Sequence, residues 1–140
     1  MKKINLAILL ILTVSSSIYG QTFKPETKAE LQTAVNLWVD DNPTALESYG
    51  EINSWDVSLI TDMVSLFENK TNFNDNIGNW DVSNVNNMKR MFMEATSFTS
   101  DLSTWNVSNN TDMSSMFRGC INFTSDLSSW DVSKVTQAHT

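Results

Sequence analysis

Asp56, Asp81, Asn106 and Asp131 stand at one phase of a recurring pattern, and this carboxylate column is where chemistry would first be sought. On successive layers of a stack the side chains would lie about 4.8 Å apart. Like charges at that spacing repel, and Ca²⁺, which collects about six to eight oxygen ligands, would relieve them. Asp56, Asp81 and Asp131 are therefore the candidate metal ligands. In the competing reading each carboxylate caps its own turn and the row faces solvent. No ligand-dense loop of known type accompanies the column, so the turn role is the expected one. A second polar column, Asp62, Asn87, Asp112 and Gln137, falls just inside an expected helix start, where acids complement the dipole.

Catalytic constellations do not assemble. Cys120 replaces Ala95 of the preceding copy and reads as a small buried core residue. His139 is the sole histidine, so no Cys–His or Ser–His–Asp set is available. Repeated aspartates are expected to be turn devices, not paired acids of a glycosidase. No catalytic residue and no cofactor is expected, and the chain reads as a non-enzyme.

The elements that would position these residues follow from the period. Trp55, Trp80, Trp105 and Trp130 are 25 residues apart without insertion or deletion. A fixed period of this length signals one supersecondary unit stacked on copies of itself. Trp-x-Val alternates as a short half-buried strand does. Then Met88, Met91, Phe92 and Ala95 step i, i+3, i+4, i+7, and Met113, Met116, Phe117 and Cys120 repeat the stripe. That spacing predicts a short helix, with Thr61, Asn86 and Thr111 as N-caps. Phe73, Phe98 and Phe123 then pin a return segment. The expected architecture is an α/β solenoid, a leucine-rich-repeat-like right-handed stack of strand–short helix units with an N-terminal helical cap. Trp55, Trp80, Trp105, Trp130, Met88, Phe92, Met113 and Phe117 form its core ladder.

Three segments are expected. Residues 1–20 read as a signal peptide, with Lys2-Lys3, an apolar run from Ile4 to Val14, and a small-residue exit toward Gln21. The apolar run is shorter than the roughly 20 residues a membrane span needs. Residues 21–50 read as a helical cap. Thr27 and Glu30 make a capping box, Leu31, Ala34, Val35 and Trp38 an apolar face, and Asn42-Pro43 a second helix start with Leu46 and Tyr49 inward. Trp38 is off the repeat register and is expected to plug the first copy. Residues 51–140 hold the tandem repeats, the last incomplete, which suggests a fragment of a longer protein or an open C-terminal edge that self-associates.

The 140 residues carry a formal charge of −7, with no basic stripe to meet phosphates, so no nucleic-acid partner is expected. Membrane contact is expected only through an anchor the sequence does not show. Cys120 is the only cysteine, so no internal disulfide forms and stability must come from apolar burial. Asn69, Asn106, Asn109 and Asn122 are glycosylation acceptors only in a glycosylating host.

The pattern Trp-Asp-Val-Ser-x-Val-x-x-Met-x-x-Met-Phe-x-x-Ala-x-x-Phe resembles the repeat of BspA-like leucine-rich repeat surface proteins, found also in mycoplasma lipoproteins as a domain of unknown function. The resemblance spans residues 51–137 and departs from the pattern at Asn106, Asn110 and Lys70. It implies a leucine-rich-repeat-like stack on an exported surface protein acting in adhesion, with no catalytic residues to carry over. The expected function is a secreted or cell-surface module binding a protein or glycan on a cell or matrix surface, through outward residues Asn84, Asn109 and Lys134. The alternatives are a carbohydrate-binding or Ca²⁺-dependent surface module, and a structural spacer from a longer surface protein.

Overall fold

The computed structural model describes residues 20–139, so the expected signal peptide, apart from Gly20, lies outside the described residues. Helix α1 spans Lys28–Asp40. Thr27 Oγ1 accepts from the Glu30 N–H at 3.2 Å, and Glu30 Oε2 accepts from the Thr27 N–H at 3.1 Å, closing the capping box. Leu31, Ala34, Val35 and Trp38 form the buried face. The chain then turns at once into α2, Asn42–Tyr49, which ends at Gly50 with φ 70°. Its N-cap is Asp41, not the expected Asn42: the Asp41 carboxylate accepts the Thr44 N–H at 3.3 Å. Leu46, expected inward, is 41 % exposed, and Ala45 is the buried residue of α2.

The repeats depart from the expected architecture. Among the described residues there is no strand, no sheet and no helix after the 3₁₀ turn at Ile52–Ser54. The strand–helix units of an α/β, leucine-rich-repeat-like solenoid are therefore absent. Each unit is built from successive turns. After Trp-x-Val the backbone closes locally, with the Ile60, Val85 and Asn110 N–H groups donating to the Val57, Val82 and Val107 carbonyls. That removes the partners a strand ladder would need. All that remains of parallel pairing is single bridges, Asp62 to Asn87, Asn87 to Asp112 and Asp112 to Gln137.

The methionine stripe is also turns. In the first unit, Leu66, Glu68 and Lys70 N–H groups fold back on the Met63, Ser65 and Phe67 carbonyls. The alternate groups, Met63, Ser65, Phe67 and Asn69, donate across to Asn87, Lys89, Met91 and Met93 of the next unit. The second unit repeats this, with Met88, Arg90, Phe92 and Glu94 donating to Asp112, Ser114, Met116 and Arg118. An α-helix directs every N–H four residues back along itself and has none to offer a neighbour. A turn series shares its donors between the unit and the stack. The first and last of these turns in each unit place a left-handed residue third: Ser65, Asn69, Arg90, Glu94, Ser115 and Gly119 all have φ between 56° and 78°.

Stacked copies align equivalent side chains in files. Trp55 lies over Trp80 at 6.2 Å and Trp105 over Trp130 at 6.5 Å between ring centroids. Phe67, Phe92 and Phe117 stack at 5.3 and 5.7 Å, and Phe73, Phe98 and Phe123 at 5.8 Å. Within each unit the two phenyl files touch, at 4.2 to 4.3 Å. The Trp55 indole N–H donates to the Gly50 carbonyl, and the later three reach back one unit: Trp80, Trp105 and Trp130 donate to the Ile52, Ile77 and Leu102 carbonyls at 2.7, 3.2 and 3.0 Å. Tryptophan thus fills the core without stranding its donor.

The helices cover the first unit. Trp38 packs edge-on against Trp55 at 5.8 Å and continues the indole file into α1. Phe23 lies 5.2 Å from the Trp55 ring and 4.5 Å from Tyr49. The Phe23 carbonyl accepts the Asp56 N–H at 2.9 Å. Burial declines along the array: Trp55, Trp80 and Trp105 are buried, as are Met88 and Phe92, whereas Met113, Phe117 and Trp130 are partly exposed.

Candidate functional site

The aspartate column resolves into local turns. Asp56, Asp81, Asn106 and Asp131 each accept the N–H of the serine two residues on, at 3.0 to 3.1 Å. Asp62, Asn87 and Asp112 do the same for Val64, Lys89 and Ser114. A third column, Asn76, Asp101 and Asp126, was not visible as a site in the repeat pattern and closes the same ring onto Gly78, Ser103 and Ser128. These carboxylates hold the corners of the coil. Among the described residues the helix start expected at Asp62, Asn87 and Asp112 is absent, and they cap turns instead.

Electrostatics follow from those bonds. The Lys24 ammonium, 2.7 Å from Asp56, and the Ser58 hydroxyl and N–H together hold the Asp56 carboxyl down to about 2. The Ser133 side chain and N–H lower Asp131, and the Ser103 N–H and hydroxyl lower Asp101. At Asp112 burial opposes ionisation but the Ser114 bonds outweigh it, and the net shift is downward. Among the described residues no three His, Cys, Asp or Glu side chains gather as a metal-holding group. Asp56, Asp81 and Asp131 each hold their own turn through one carboxylate oxygen.

The outward residues Asn84, Asn109 and Lys134 are exposed and in file. Two of them also hold the stack: Asn84 Nδ2 donates to the Ser58 carbonyl and Asn109 Nδ2 to the Ser83 carbonyl, each at 2.8 Å. Lys134 Nζ donates to Asn109 Oδ1 at 2.7 Å. Leu59 begins the same file and is 49 % exposed.

Cys120 is half-buried, less enclosed than expected, and its thiol donates to the Phe92 carbonyl at 2.7 Å. Burial pushes the thiol up, away from thiolate reactivity. At the Val/Ile position of the third unit, Asn110 is fully buried. Its Nδ2 reaches the Val85 carbonyl at 3.4 Å, and its Oδ1 has no partner.

Two cavities lie against the helices. One, of 530 Å³, sits between Phe23, Pro25, Ala29, Thr33 and Tyr49. The other, of 320 Å³, opens where α1 and α2 meet the first unit, with Trp38, Leu46 and Phe73 as apolar wall and Glu51 and Asp75 at the rim. There the Trp38 indole N–H donates to Asp75 Oδ2 at 2.9 Å. Among the described residues no helix is long and apolar enough to cross a membrane.

No curated protein and no solved structure matches the chain. The family described as "Mycoplasma protein of unknown function, DUF285" matches residues 35–140, from within α1 through the whole of the stacked array. With the match covering three of the four aromatic-file units in full and the start of the fourth, the chain belongs to the DUF285 family.

Proposed function

We propose that this chain is a non-catalytic, secreted or cell-surface repeat module that binds a protein or glycan on a cell or matrix surface. The observation that carries the reading is the division of labour within each unit. Aromatic, methionine and Asx-turn columns repeat and hold the frame. The exposed file at the fifth position changes from Leu59 to Asn84, Asn109 and Lys134. Stacked units present such files as an extended surface, and repeat proteins use surfaces of that kind for recognition. The Trp-Asp-Val-Ser resemblance to BspA-like surface proteins, and the leader-like residues 1–20, support an exported location.

Binding of the labelled chain to intact cells and to extracellular matrix components tests this. Leu59→Ser and Lys134→Ala should reduce attachment severalfold while the melting temperature is unchanged, because neither side chain joins two backbones. Full attachment by the double variant would reject the file as the binding face.

A further inference from the structure

The 320 Å³ cavity lies where the helices meet the first unit. Trp38 extends the indole file over Trp55, at 5.8 Å. The second phenyl file begins at Phe73, which stacks on Phe98 and Phe67 but has no ring above it from α1 or α2. Phe73 is itself buried, and the more open apolar lining of the cavity is Val39 and Leu46. Leu46 is 41 % exposed and offers an aliphatic surface to whatever enters.

The rim has one sign of charge. Glu51 and Asp75 line it together with the uncharged amides of Asn42 and Asn72, and no lysine or arginine does. Among the described residues the ion pairs are Lys24–Asp56 and Lys28–Asp62, so neither rim carboxylate has a cation. Asp75 is held in place through one oxygen by the Trp38 indole N–H, which leaves the other oxygen free to accept. At this column the later units carry Ser100 and Ser125, so the acid is particular to the unit facing the cap. An apolar wall beneath two carboxylates suits a ligand with a hydrocarbon stem and a positive head, the amphipathic build of long basic side chains.

We infer that this cavity receives a lysine or arginine side chain of a protein partner, with its stem on Leu46 and Val39 and its cationic head between Glu51 and Asp75. The inference deepens the reading of the chain as a binding module and rests on it.

The test is a titration of the ¹⁵N-labelled full chain with n-butylammonium and n-butylguanidinium, with n-butanol, butyrate and methyl glucoside as comparisons. The reporter is the Trp38 indole N–H resonance. Both cations should shift it saturably, butanol at least about tenfold more weakly, since a charge-assisted hydrogen bond is worth about that factor. Butyrate and the glucoside should leave it unmoved. Glu51→Gln should weaken the cations by about tenfold. Asp75→Asn should do the same without lowering the melting temperature, because the amide oxygen still accepts from Trp38. Butanol binding as well as the cations, tighter binding of the glucoside, or indifference to both substitutions would overturn the inference. Attachment of the whole protein to surface components is measured on the same samples. No response to either cation in protein that still attaches overturns the cavity and leaves the surface role standing. Cation binding in protein that attaches to nothing overturns the surface role and leaves the ligand chemistry standing.

Discussion

Asn110→Val should stabilise this protein. The position is fully buried in the third unit, where the other units place Ile60, Val85 and Val135. Its Oδ1 has no hydrogen-bond partner, and relieving a buried unsatisfied acceptor is worth about 1–3 kcal/mol. The contact that is lost, Nδ2 to the Val85 carbonyl at 3.4 Å, lies beyond good hydrogen-bond distance and returns under about 1 kcal/mol. Valine adds apolar burial in a column already shaped for it. The net expectation is a gain of about 1–2 kcal/mol, or about 3–8 °C in melting temperature. Because each unit contacts only its neighbours, the gain should appear locally. Hydrogen exchange should slow most at the Thr111 and Thr136 amides, which bridge the flanking units. Translational equivalence supplies the converse: Val85→Asn should impose a similar penalty one unit earlier. An unchanged or lower melting temperature for Asn110→Val would mean that Oδ1 is satisfied, and the premise would fail.

Arg90→Gly separates a turn from a helix by sign. Glycine within a helix costs about 1 kcal/mol, whereas at φ 56° it removes a left-handed strain, so the melting temperature should hold or rise. Gly119→Ala should cost about 1–2 kcal/mol in a denaturant melt. A methyl there meets the Glu94 carboxylate at 2.5 Å with φ at 78°. Asp56 ionises at about 2 when folded against an ordinary 3.8, so its contribution is complete above 3.8 and disappears as pH falls through about 2. With its side chain 35 % exposed the effect is under about 1 kcal/mol, readable as an acid-induced change in Trp55 fluorescence that Asp56→Asn abolishes. Asn84→Ala should lower the melting temperature by severing its bond to the Ser58 carbonyl, unlike Lys134→Ala, and equal melts for the two would refute the ladder role.

The period, the indole and phenyl columns, the capping box and the plugging role of Trp38 were all legible in the sequence, because each is a statement about one residue type at one spacing. The strand and the repeat helix were not. Apolar residues at i, i+3, i+4 and i+7 mark a helical face, but two consecutive four-residue turns place Met63, Leu66, Phe67 and Lys70 at the same intervals. Spacing alone cannot separate the two. The distinguishing signal lay in the column between them, Asn69, Glu94 and Gly119, where asparagine and glycine are the residues that best tolerate positive φ. Glutamate in the middle copy masked it. Trp-x-Val misled for a related reason. Alternation reports which side chains point inward, and an extended tripeptide held by its own Asx turn alternates as well as a strand does. The cavity at the cap junction had no sequence signal, since it depends on how α1 and α2 dock on the first unit and not on the spacing of any residue type.

Copies similar enough to stack are similar enough to be mistaken for one another. Such a chain has several self-consistent ways to close, each displaced by a whole copy. Asp75 removes that degeneracy, because the Trp38 indole finds a carboxylate over the first copy and only Ser100 or Ser125 over the next two. The helices therefore mark an origin, and copies can be added or lost downstream during evolution without changing where the counting starts.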